Sequence, residues 1–401
     1  MDKTVLIFGA GVNQYTMIEA ARKLGVKSVV IDPCADPPGK QISDVFYQVG
    51  AQDYELTKLI AQKEKVDGIV TSQMENPLRL MARLAKDLGF IFHMPEIIEH
   101  CRNKFLMKQV FYDHSVPCAK GILVKTDHEI TENELSQQGL FFPLIVKPTD
   151  AFSSKGVLKV NDMNELHPAI ASATSISSDG GVLIEEFMEG PEYSIETITF
   201  EGETTIVQFT EKIITPYPRT VEMGHIQPAN ISEELKTKLG DLVKKAIKAL
   251  QIDNSGGHLE AILCKDGFKI VEAGARLGGD FISSYLTKVS TGISMDEAAI
   301  LVSLGIKPEL EQLHNEYSYI KYFELITGKK IREIEDISDI KQMSDVVLAQ
   351  IFLSKGDTVL PIKNSAFRPA CILVKGSTRE DVIAKADHLE KKMISRIIYQ
   401  D

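Results

Sequence analysis

The chain lacks the features that mark a membrane protein, a nucleic-acid-binding protein or a disulfide-stabilised protein. No apolar run approaches the ~20 residues that a membrane-spanning helix requires. The net charge is −11, which argues against the clustered Lys and Arg of a nucleic-acid-binding surface. The five cysteines are scattered and form no CxxC pair, so the sequence supports neither a zinc site nor a disulfide framework.

Several targeting and catalytic patterns are also missing. The stretch MDKTVLIFGAG opens directly into an apolar strand pattern and lacks the layout of a signal peptide, so we expect a cytoplasmic protein. There is no GxxxxGK[ST] phosphate loop and no Ser/His/Asp or Cys/His layout for an enzyme nucleophile. The 401 residues, 44% of them hydrophobic, suffice for two to four domains with a sizeable core.

The first part of the chain alternates strand and helix patterns. A buried strand at Thr4–Phe8, a helix over 13–24 and a strand over 28–31 form a β-α-β unit, which predicts a parallel sheet. The glycine-rich turn between them resembles a dinucleotide fingerprint, but Gln14 stands where its third glycine would be. We therefore expect residues 1–95 to form a small Rossmann-like α/β domain that binds a substrate at its strand ends.

The middle of the chain carries isolated charges in apolar surroundings. Helical runs flank Lys104, and Lys147 ends a buried strand, where an ammonium group either reaches solvent or meets an anion. The small residues of the 151–156 loop, with Lys155, suit either a flap over phosphates or a mobile surface loop. The proline-containing region 211–228 is expected to be a long loop.

A strand pair at residues 257–279 (GHLEAILCKDGFKIVEAGARLGG) is the stretch richest in chemistry. Glu260 and Glu272 each lie inside an apolar strand pattern, where a carboxylate is costly to bury unless it is paired or binds a cation. Neighbouring carboxylates suit Mg²⁺, and Arg276 suits a phosphate or carboxylate partner. The alternative from these residues alone is an ordinary β-hairpin with two edge-facing acids.

Taken in order, these motifs resemble the ATP-grasp superfamily. The order is Asn103-Lys104, Lys147, the SSKG loop, EEFMEGPE, and Glu260 followed by Glu272 and Arg276. The resemblance implies an α/β and α+β multidomain fold. Its parts are a pre-ATP-grasp domain (1–95), a two-lobed ATP-grasp domain (96–315, lobes about 115–190 and 191–315) and a small α+β carboxyl-terminal cap (316–401). The RLGGD and EMGHIQP segments look most like amino-acid ligases that make dipeptides or related amides. Within the superfamily, the chain as a whole most resembles the group of these ligases and of carbamoyl-phosphate-synthase-like enzymes.

The resemblance also implies roles for particular residues. Mg²⁺, for which Mn²⁺ can substitute, would be held by Glu260 and Glu272, and Arg276 and Lys155 would be catalytic. The ATP-binding residues would be Lys104, Lys147, Ser153, Ser154, Lys155, Glu185, Glu186, Phe187, Met188 and Glu192. The substrate-binding residues would be Glu211, Glu222, His225, Arg276, Gly278 and Gly279.

One departure from the family pattern concerns the metal site. Gly274 stands where the usual E-x-N-x-R motif has a metal-binding asparagine, which leaves open whether one or two metal ions bind.

The implied activity is an ATP-dependent ligation of a small-molecule carboxylate to an amine through an acyl phosphate. Nucleic acid and membrane are not expected as partners, and a homodimer is left open. The alternatives are a phosphoribosylglycinamide-synthetase-type or carboxylase-like ATP-grasp reaction, and a nucleotide-binding regulatory module that has lost catalysis.

Overall fold

The computed structural model describes residues 1–50, 52–125, 130–217 and 220–400. It begins with a parallel sheet of strand order β3-β2-β1-β4, which confirms the α/β pattern of the amino-terminal sequence. The elements of this part are β1 (Thr4–Phe8), α1 (Tyr15–Lys23), β2 (Lys27–Asp32), β3 (Val45–Gln48), α2 (Tyr54–Lys63), β4 (Gly68–Thr71) and α3 (Leu78–Leu88).

The glycine-rich turn after β1 is fixed by side chains of its own domain. The Ala10 amide donates a 2.8 Å hydrogen bond to the Asp32 carboxylate at the end of β2. Gly9 has φ +94°, and a Cβ there would lie 2.5 Å from Met74 Sδ. Gln14, the residue that replaces the third fingerprint glycine, is buried in the turn. The turn is therefore packed against its own domain.

Two helices and an antiparallel sheet follow. The sheet has the strand order β5-β8-β6-β7, and α7 packs on β6. Lys147 and Ile145 of β6 face away from α7, whereas Leu144 and Val146 enter the core beneath it. The elements are α4 (Pro95–Arg102), α5 (Lys104–Asp113), β5 (Gly121–Val124), α6 (Glu132–Gln137), β6 (Leu144–Pro148), β7 (Leu158–Val160), α7 (Met163–Ile176) and β8 (Val182–Glu186).

The rest of the chain builds a large antiparallel sheet of order β13-β12-β9-β10-β11-β14-β17-β16. Along residues 192–303, the elements are β9 (Glu192–Phe200), β10 (Glu203–Ile214), β11 (Glu222–Gln227), α8 (Glu233–Leu250), β12 (Ser255–Cys264), β13 (Gly267–Gly274), α9 (Thr287–Thr291) and α10 (Met295–Ser303). The carboxyl-terminal part contains β14 (Tyr317–Tyr322), β15 (Ile331–Ile334), α11 (Ser338–Lys341), β16 (Val346–Ile351), β17 (Ala370–Gly376), α12 (Arg379–Ile394) and β18 (Ile397–Tyr399).

The two faces of the large sheet differ in chemistry because side chains alternate along each strand. Tyr193, Ile195 and Leu259 point to one face and join the core that includes α8. Glu192 and Glu196 point to the other face. The sheet thus presents an apolar face to a helix and a charged face to the space beneath the smaller antiparallel sheet.

The structure corrects the expectation of a long loop over residues 211–228. β10 continues to Ile214, β11 occupies Glu222–Gln227, and the two strands pair, so the irregular connection is short. The prolines in this region suggested a loop, yet both strands form, with polar side chains such as Lys212 on the charged face of the sheet. Pro218 and Arg219 of the expected loop lie outside the described residues.

Three of the carboxyl-terminal strands, β14, β16 and β17, join the large sheet, whereas β15 and β18 pair with each other in a separate two-stranded sheet. β11 pairs with β14 across the expected domain boundary at residues 315 and 316, and β14 pairs in turn with β17. A core cluster under this junction includes Ile226 of β11 and Tyr319 of β14. Among the residues that the structure describes, no helix is both long and apolar enough to span a membrane.

We predict that a chain truncated after residue 315 does not fold. Truncation exposes the hydrogen-bonding edge of β11 and the apolar side chains that pack around Ile226, and an unpaired edge of this kind promotes aggregation. Size-exclusion chromatography and a circular-dichroism melt should therefore show aggregated protein without a cooperative transition. A monomeric truncated chain that unfolds cooperatively would show that the carboxyl-terminal part is an independent cap.

Candidate functional site

A cavity lies between the charged face of the large sheet and the smaller antiparallel sheet. The 151–156 loop and the segment after Arg276 also border it. Most of the residues predicted from the sequence line this cavity. They are Lys104, Lys147, Ser153, Ser154, Glu185, Glu186, Phe187, Met188, Glu192, Glu222, His225, Glu260, Glu272, Arg276 and Gly279.

Three predicted residues lie elsewhere. Lys155 is exposed and does not line the cavity, although its neighbours in the loop do. Glu211 forms an ion pair with Arg379 of α12, away from the cavity. Gly278 lies behind the cavity wall, where its amide donates to Glu196 and an added Cβ would lie 2.6 Å from that carboxylate. A side chain at position 278 would therefore displace Glu196.

A buried charge cluster forms one wall of the cavity. The Glu185 carboxylate on β8 is 2% exposed and forms ion pairs with both Lys147 of β6 and Lys108 of α5, the latter at 2.8 Å. Burial disfavours the charged form of this carboxyl group, but the two ammonium groups hold its pKa below the usual value. The cluster carries a net positive charge, which suits an anionic ligand.

The strands β12 and β13 form a hairpin, called the central hairpin below. Its two glutamates face each other across the strands, and each is paired with a lysine. Glu260 and Glu272 are directly opposite in the register of β12 and β13. The Lys212 ammonium lies 2.9 Å from Glu260, and the Lys104 ammonium lies 3.2 Å from Glu272. Within the described ranges, no group of three or more His, Cys, Asp or Glu side chains is arranged to hold a metal ion.

These two carboxylates fit the predicted metal only in part. Their opposed oxygens are the ligand type that Mg²⁺ prefers, and a ligand phosphate and water would have to supply the remaining positions. Gly274 adds no side-chain oxygen, and a Cβ there would lie 3.4 Å from the Arg276 side chain. The space that the family's asparagine would occupy is thus bordered by Arg276 and its partner Glu75.

Lys212 was missed in the sequence because its segment was taken for a loop. It lies on β10, its ammonium group is buried, and it is also 3.4 Å from Glu192 and 3.7 Å from Glu222. Burial opposes its charge, but these carboxylates and Glu260 raise the pKa of Lys212 well above its usual value. A correct strand assignment would have placed Lys212 on the same face of β10 as Thr210, with Glu211 between them on the opposite face.

His258 was also missed, although it stands two residues before Glu260. Its Nδ1 lies 2.6 Å from Glu196, and its Nε2 lies 3.6 Å from Glu260. Burial opposes protonation of the ring, but the Glu196 carboxylate raises the pKa of His258 to about 9. Glu196 also accepts hydrogen bonds from Gly278 N and Ser283 Oγ, so this pair connects the central hairpin to the segment after Arg276.

Arg276 is held by a residue from the amino-terminal domain. Its Nε donates a 2.6 Å hydrogen bond to Glu75, and its Nη1 donates to the Leu277 carbonyl. Arg102 also pairs with Glu75. No local pattern in the sequence links Glu75 to Arg276, which are 201 residues apart.

The 151–156 loop touches several parts of the site. Ser153 and Ser154 have φ of +59° and +56°, and Ser154 Oγ donates a 3.1 Å hydrogen bond to Glu222 of β11. The Phe152 ring lies 5.0 Å from the Arg102 guanidinium carbon. On the far side of Glu222, Ser365 Oγ donates at 2.7 Å. The loop therefore lies over the cavity, joined through Glu222 to the carboxyl-terminal part of the chain.

We predict that Glu185→Gln destabilises the ligand-free protein by about 3–5 kcal/mol, because two buried ammonium groups lose their counter-ion. The folded-state pKa of Glu185 is lowered, so its stabilisation is full above the usual pKa of 4.5 and is lost as the pH falls below it. Urea unfolding at several pH values should show a gap between wild type and E185Q that narrows only in acid.

The matched control for this experiment is Glu186→Gln. Glu186 is the next residue on β8, is half-buried and pairs with Lys269 at 3.1 Å. Loss of such an ion pair costs about 0–1 kcal/mol. Equal destabilisation by E185Q and E186Q, or a gap that does not change in acid, would contradict the role of the buried cluster.

Comparisons with known proteins agree with this architecture. Residues 140–284 match a family model described as an ATP-grasp domain, and residues 327–394 match one described as L-amino acid ligase C-terminal domain 2. A crystal structure of an L-amino acid ligase from Bacillus licheniformis superposes with a TM-score of 0.83 at 24% identity, over 100% of this chain and 99% of that one. A phosphoribosylglycinamide synthetase from Anaerococcus prevotii superposes over both whole chains with a TM-score of 0.78 at 21% identity.

Similarity to curated sequences extends over part of the chain. An alanine–anticapsin ligase of Bacillus amyloliquefaciens is 28% identical over 269 residues, which are 61% of this chain and 55% of the relative. The chain thus spans about half the length of the curated relatives that it matches first. The two matched segments lie in the expected order on a fold shared with ATP-grasp enzymes, and the chain therefore contains an ATP-grasp domain followed by an L-amino acid ligase C-terminal domain.

Proposed function

We propose that this protein is an ATP-dependent carboxylate–amine ligase that forms an amide through an acyl phosphate and releases ADP and phosphate. The observation that carries the proposal is the pairing of lysines with the two hairpin carboxylates, Lys104 with Glu272 and Lys212 with Glu260. A polyphosphate with its cation supplies the opposite partner for each group. The lysines can turn to phosphate oxygens while the carboxylates turn to the cation, so the buried charges stay balanced.

The nucleotide would lie between the two sheets. Lys104 and Lys147 would contact phosphates, and the backbone of Phe187 and Met188 would hydrogen-bond the adenine edge. Glu192, which is 3.4 Å from Lys212, would accept hydrogen bonds from the ribose. Mg²⁺ held by Glu260 and Glu272 would neutralise charge on the transferred phosphoryl group. Ser153, Ser154 and Lys155 belong to the loop that would exclude water above it.

The reaction would proceed in two transfers. The acid substrate's carboxylate attacks the γ-phosphorus, the bond to ADP breaks, and an acyl phosphate forms. The amine then attacks the acyl carbon, phosphate leaves, and the nitrogen loses a proton. Arg276, fixed through its Nε by Glu75, would stabilise the oxyanion of the tetrahedral intermediate with its other nitrogens. Glu222, His225 and Gly279 line the cavity, and the amine would lie beside them.

Acid-dependent and amine-dependent ADP release tests this activity directly. A panel of amino acids and other small carboxylates, paired with amines, should contain combinations that release ADP and give an amide by mass spectrometry. A carboxylated amine, with its new carboxyl group taken from bicarbonate, would indicate the carboxylase-like alternative. If none of the acid–amine pairs causes ADP release although ATP binds tightly, the protein would be a regulatory module.

We predict that Glu260→Gln and Glu272→Gln each abolish most turnover, and that the double variant is scarcely worse than the worse single variant. Each substitution keeps the side-chain volume but removes a charge proposed to hold the cation, and residues that serve one transition state are not additive. ADP formation should be measured against Mg²⁺ concentration. The folded state should persist, since Lys212 keeps Glu192 and Glu222 nearby.

Asp266→Asn is the matched control for these variants. Asp266 is an exposed carboxylate in the turn of the same hairpin, where it pairs with Lys269. Its replacement should leave both the rate and the Mg²⁺ dependence unchanged. Near-normal activity with an unchanged Mg²⁺ dependence in E260Q or E272Q would remove that residue from the proposed site.

We also predict that GTP supports turnover at least about tenfold less well than ATP. Backbone groups that pair with the adenine edge would face mismatched groups on guanine, and each unpaired group costs ~1–3 kcal/mol. The measurement is kcat/KM for both nucleotides with one acid–amine pair. Similar values would refute the adenine-reading role of Phe187 and Met188.

A further inference from the structure

A chain of polar contacts runs from the carboxyl-terminal part of the protein to His225 in the cavity. Arg368 Nη1 donates a 2.7 Å hydrogen bond to Asp280 Oδ2, and Arg368 Nη2 donates to Oδ1 of the same carboxylate. Asp280 Oδ2 in turn lies 3.0 Å from His225 Nε2. The contacts join three segments, since Arg368 lies just before β17, Asp280 follows the RLGG turn, and His225 lies on β11.

Arg368 is well fixed before any ligand binds. Its guanidinium carbon lies 3.6 Å from the centroid of the Tyr322 ring, its Nε donates to the Ser365 carbonyl, and its Nη1 also donates to the Glu222 carbonyl. A bidentate guanidinium–carboxylate pair has a defined geometry as well as a favourable energy. Burial opposes the charge on Asp280, yet Arg368 lowers the pKa of this carboxyl group well below its usual value.

The ionised Asp280 fixes the hydrogen-bonding state of His225. A carboxylate only accepts hydrogen bonds, so the 3.0 Å contact requires a proton on His225 Nε2. In the neutral ring the proton on Nε2 leaves Nδ1 as an acceptor. The residue is 2% exposed, lines the cavity, and its Nδ1 has no hydrogen-bond partner within the part of the chain that the structure describes.

A β-bulge brings a second acceptor to the same place. The pairing of β10 with β11 shifts between Ile213 and Ile214, so that Met223 is the extra residue and Glu222 and His225 both reach the cavity. The Glu222 carboxylate already accepts from Ser154 and Ser365, and a carboxylate has room for further donors. This end of the cavity therefore offers acceptors, which suit a ligand that carries N–H groups.

We propose that His225 Nδ1 accepts a hydrogen bond from the amino group of the amine substrate, and that Asp280 and Arg368 are positioning residues that fix this acceptor. The inference rests on the proposed ligase function and names the chemistry of its second substrate. An amino compound satisfies Nδ1 and Glu222 together, whereas a bicarbonate ion would bring acceptor oxygens against Glu222. The carboxyl-terminal part of the chain thus acts in selection of the nucleophile.

Two substitutions of His225 separate its two nitrogens. The amide of Gln reaches about as far as Nε2, so H225Q keeps a donor to Asp280 and removes the Nδ1 acceptor. The amide of Asn reaches about as far as Nδ1, so H225N keeps an acceptor at the cavity and loses the contact with Asp280. We expect the KM for the amine to rise at least about tenfold in H225Q and less in H225N.

The positioning residues are tested by Asp280→Asn, Arg368→Met and Arg368→Lys. D280N and R368M should raise the amine KM by about tenfold or more, whereas the ADP formed in the first turnover from acid and ATP without amine should stay within about twofold of wild type. R368K keeps the charge but loses the bidentate geometry, so its amine KM should lie between those of the wild type and R368M. Equal loss of first-turnover ADP and of amide formation would assign these residues a structural role and overturn the proposal.

Arg379→Met provides the matched control. Arg379 forms a similar bidentate pair, with Glu211, and also joins the carboxyl-terminal part to the large sheet, but away from the cavity. Its loss should leave the amine KM unchanged. A rise in the amine KM of R379M equal to that of R368M would show a general loosening of the interface and would overturn the proposal.

A measurement that needs no turnover keeps the inference apart from the proposed ligase activity. Nitrogen-15 NMR of the histidine side chains, with His225 assigned by substitution, should show the proton on Nε2 in the wild-type protein and redistribution to Nδ1 in D280N. Addition of a reactive amine should shift the Nδ1 signal. A proton on Nδ1 in the wild-type protein overturns the inference whatever the activity. If no acid–amine pair reacts although the proton lies on Nε2, the ligase function and its amine substrate are overturned, and the positioning of His225 by Asp280 stands.

Discussion

The charged cavity depends on one constraint, which is that ionic groups taken out of water must keep a partner of opposite charge. Glu185 meets this constraint with two lysines, and Lys212 meets it with the carboxylates around it. Each partner comes from a different strand or helix, so the constraint also fixes how these elements sit against one another. A ligand that carries both a cation and phosphates can replace these internal partners without leaving any charge alone.

The large sheet supplies this arrangement through simple alternation and local irregularities. Alternate residues of β9 and β12 pack into the core with α8, and the residues between them carry the charges. Bulges at Glu260/Ala261 and Ile213/Ile214 let residues that would point to opposite faces reach the same space. The charged face is therefore denser in functional groups than a regular period of two would allow.

Much of the lining of the cavity could be predicted from the sequence because its groups lie on short, local patterns. The hairpin with Glu260 and Glu272 was predicted and is confirmed, with the two glutamates directly opposite. The region of Lys212 was wrongly expected to be a loop, because its prolines and polar residues hid a strand whose alternate positions face the cavity. Periodicity cannot show a partner such as Glu75, which meets Arg276 only after two domains pack together.

The end of the cavity that contains Arg276, Glu222 and Asp280 depends on such distant partners. Glu75 from the amino-terminal domain holds Arg276, and Ser365 and Arg368 from the carboxyl-terminal part hold Glu222 and Asp280. These contacts cross segments that are far apart in sequence, so each segment can change without altering the local motifs that would bind nucleotide. Residue changes in the outer segments would therefore alter the surroundings of Glu222 and Asp280 and leave the local pattern around Glu260 and Glu272 intact. This separation explains why the sequence predicts the hairpin with its two glutamates but not the contact between His225 and Asp280.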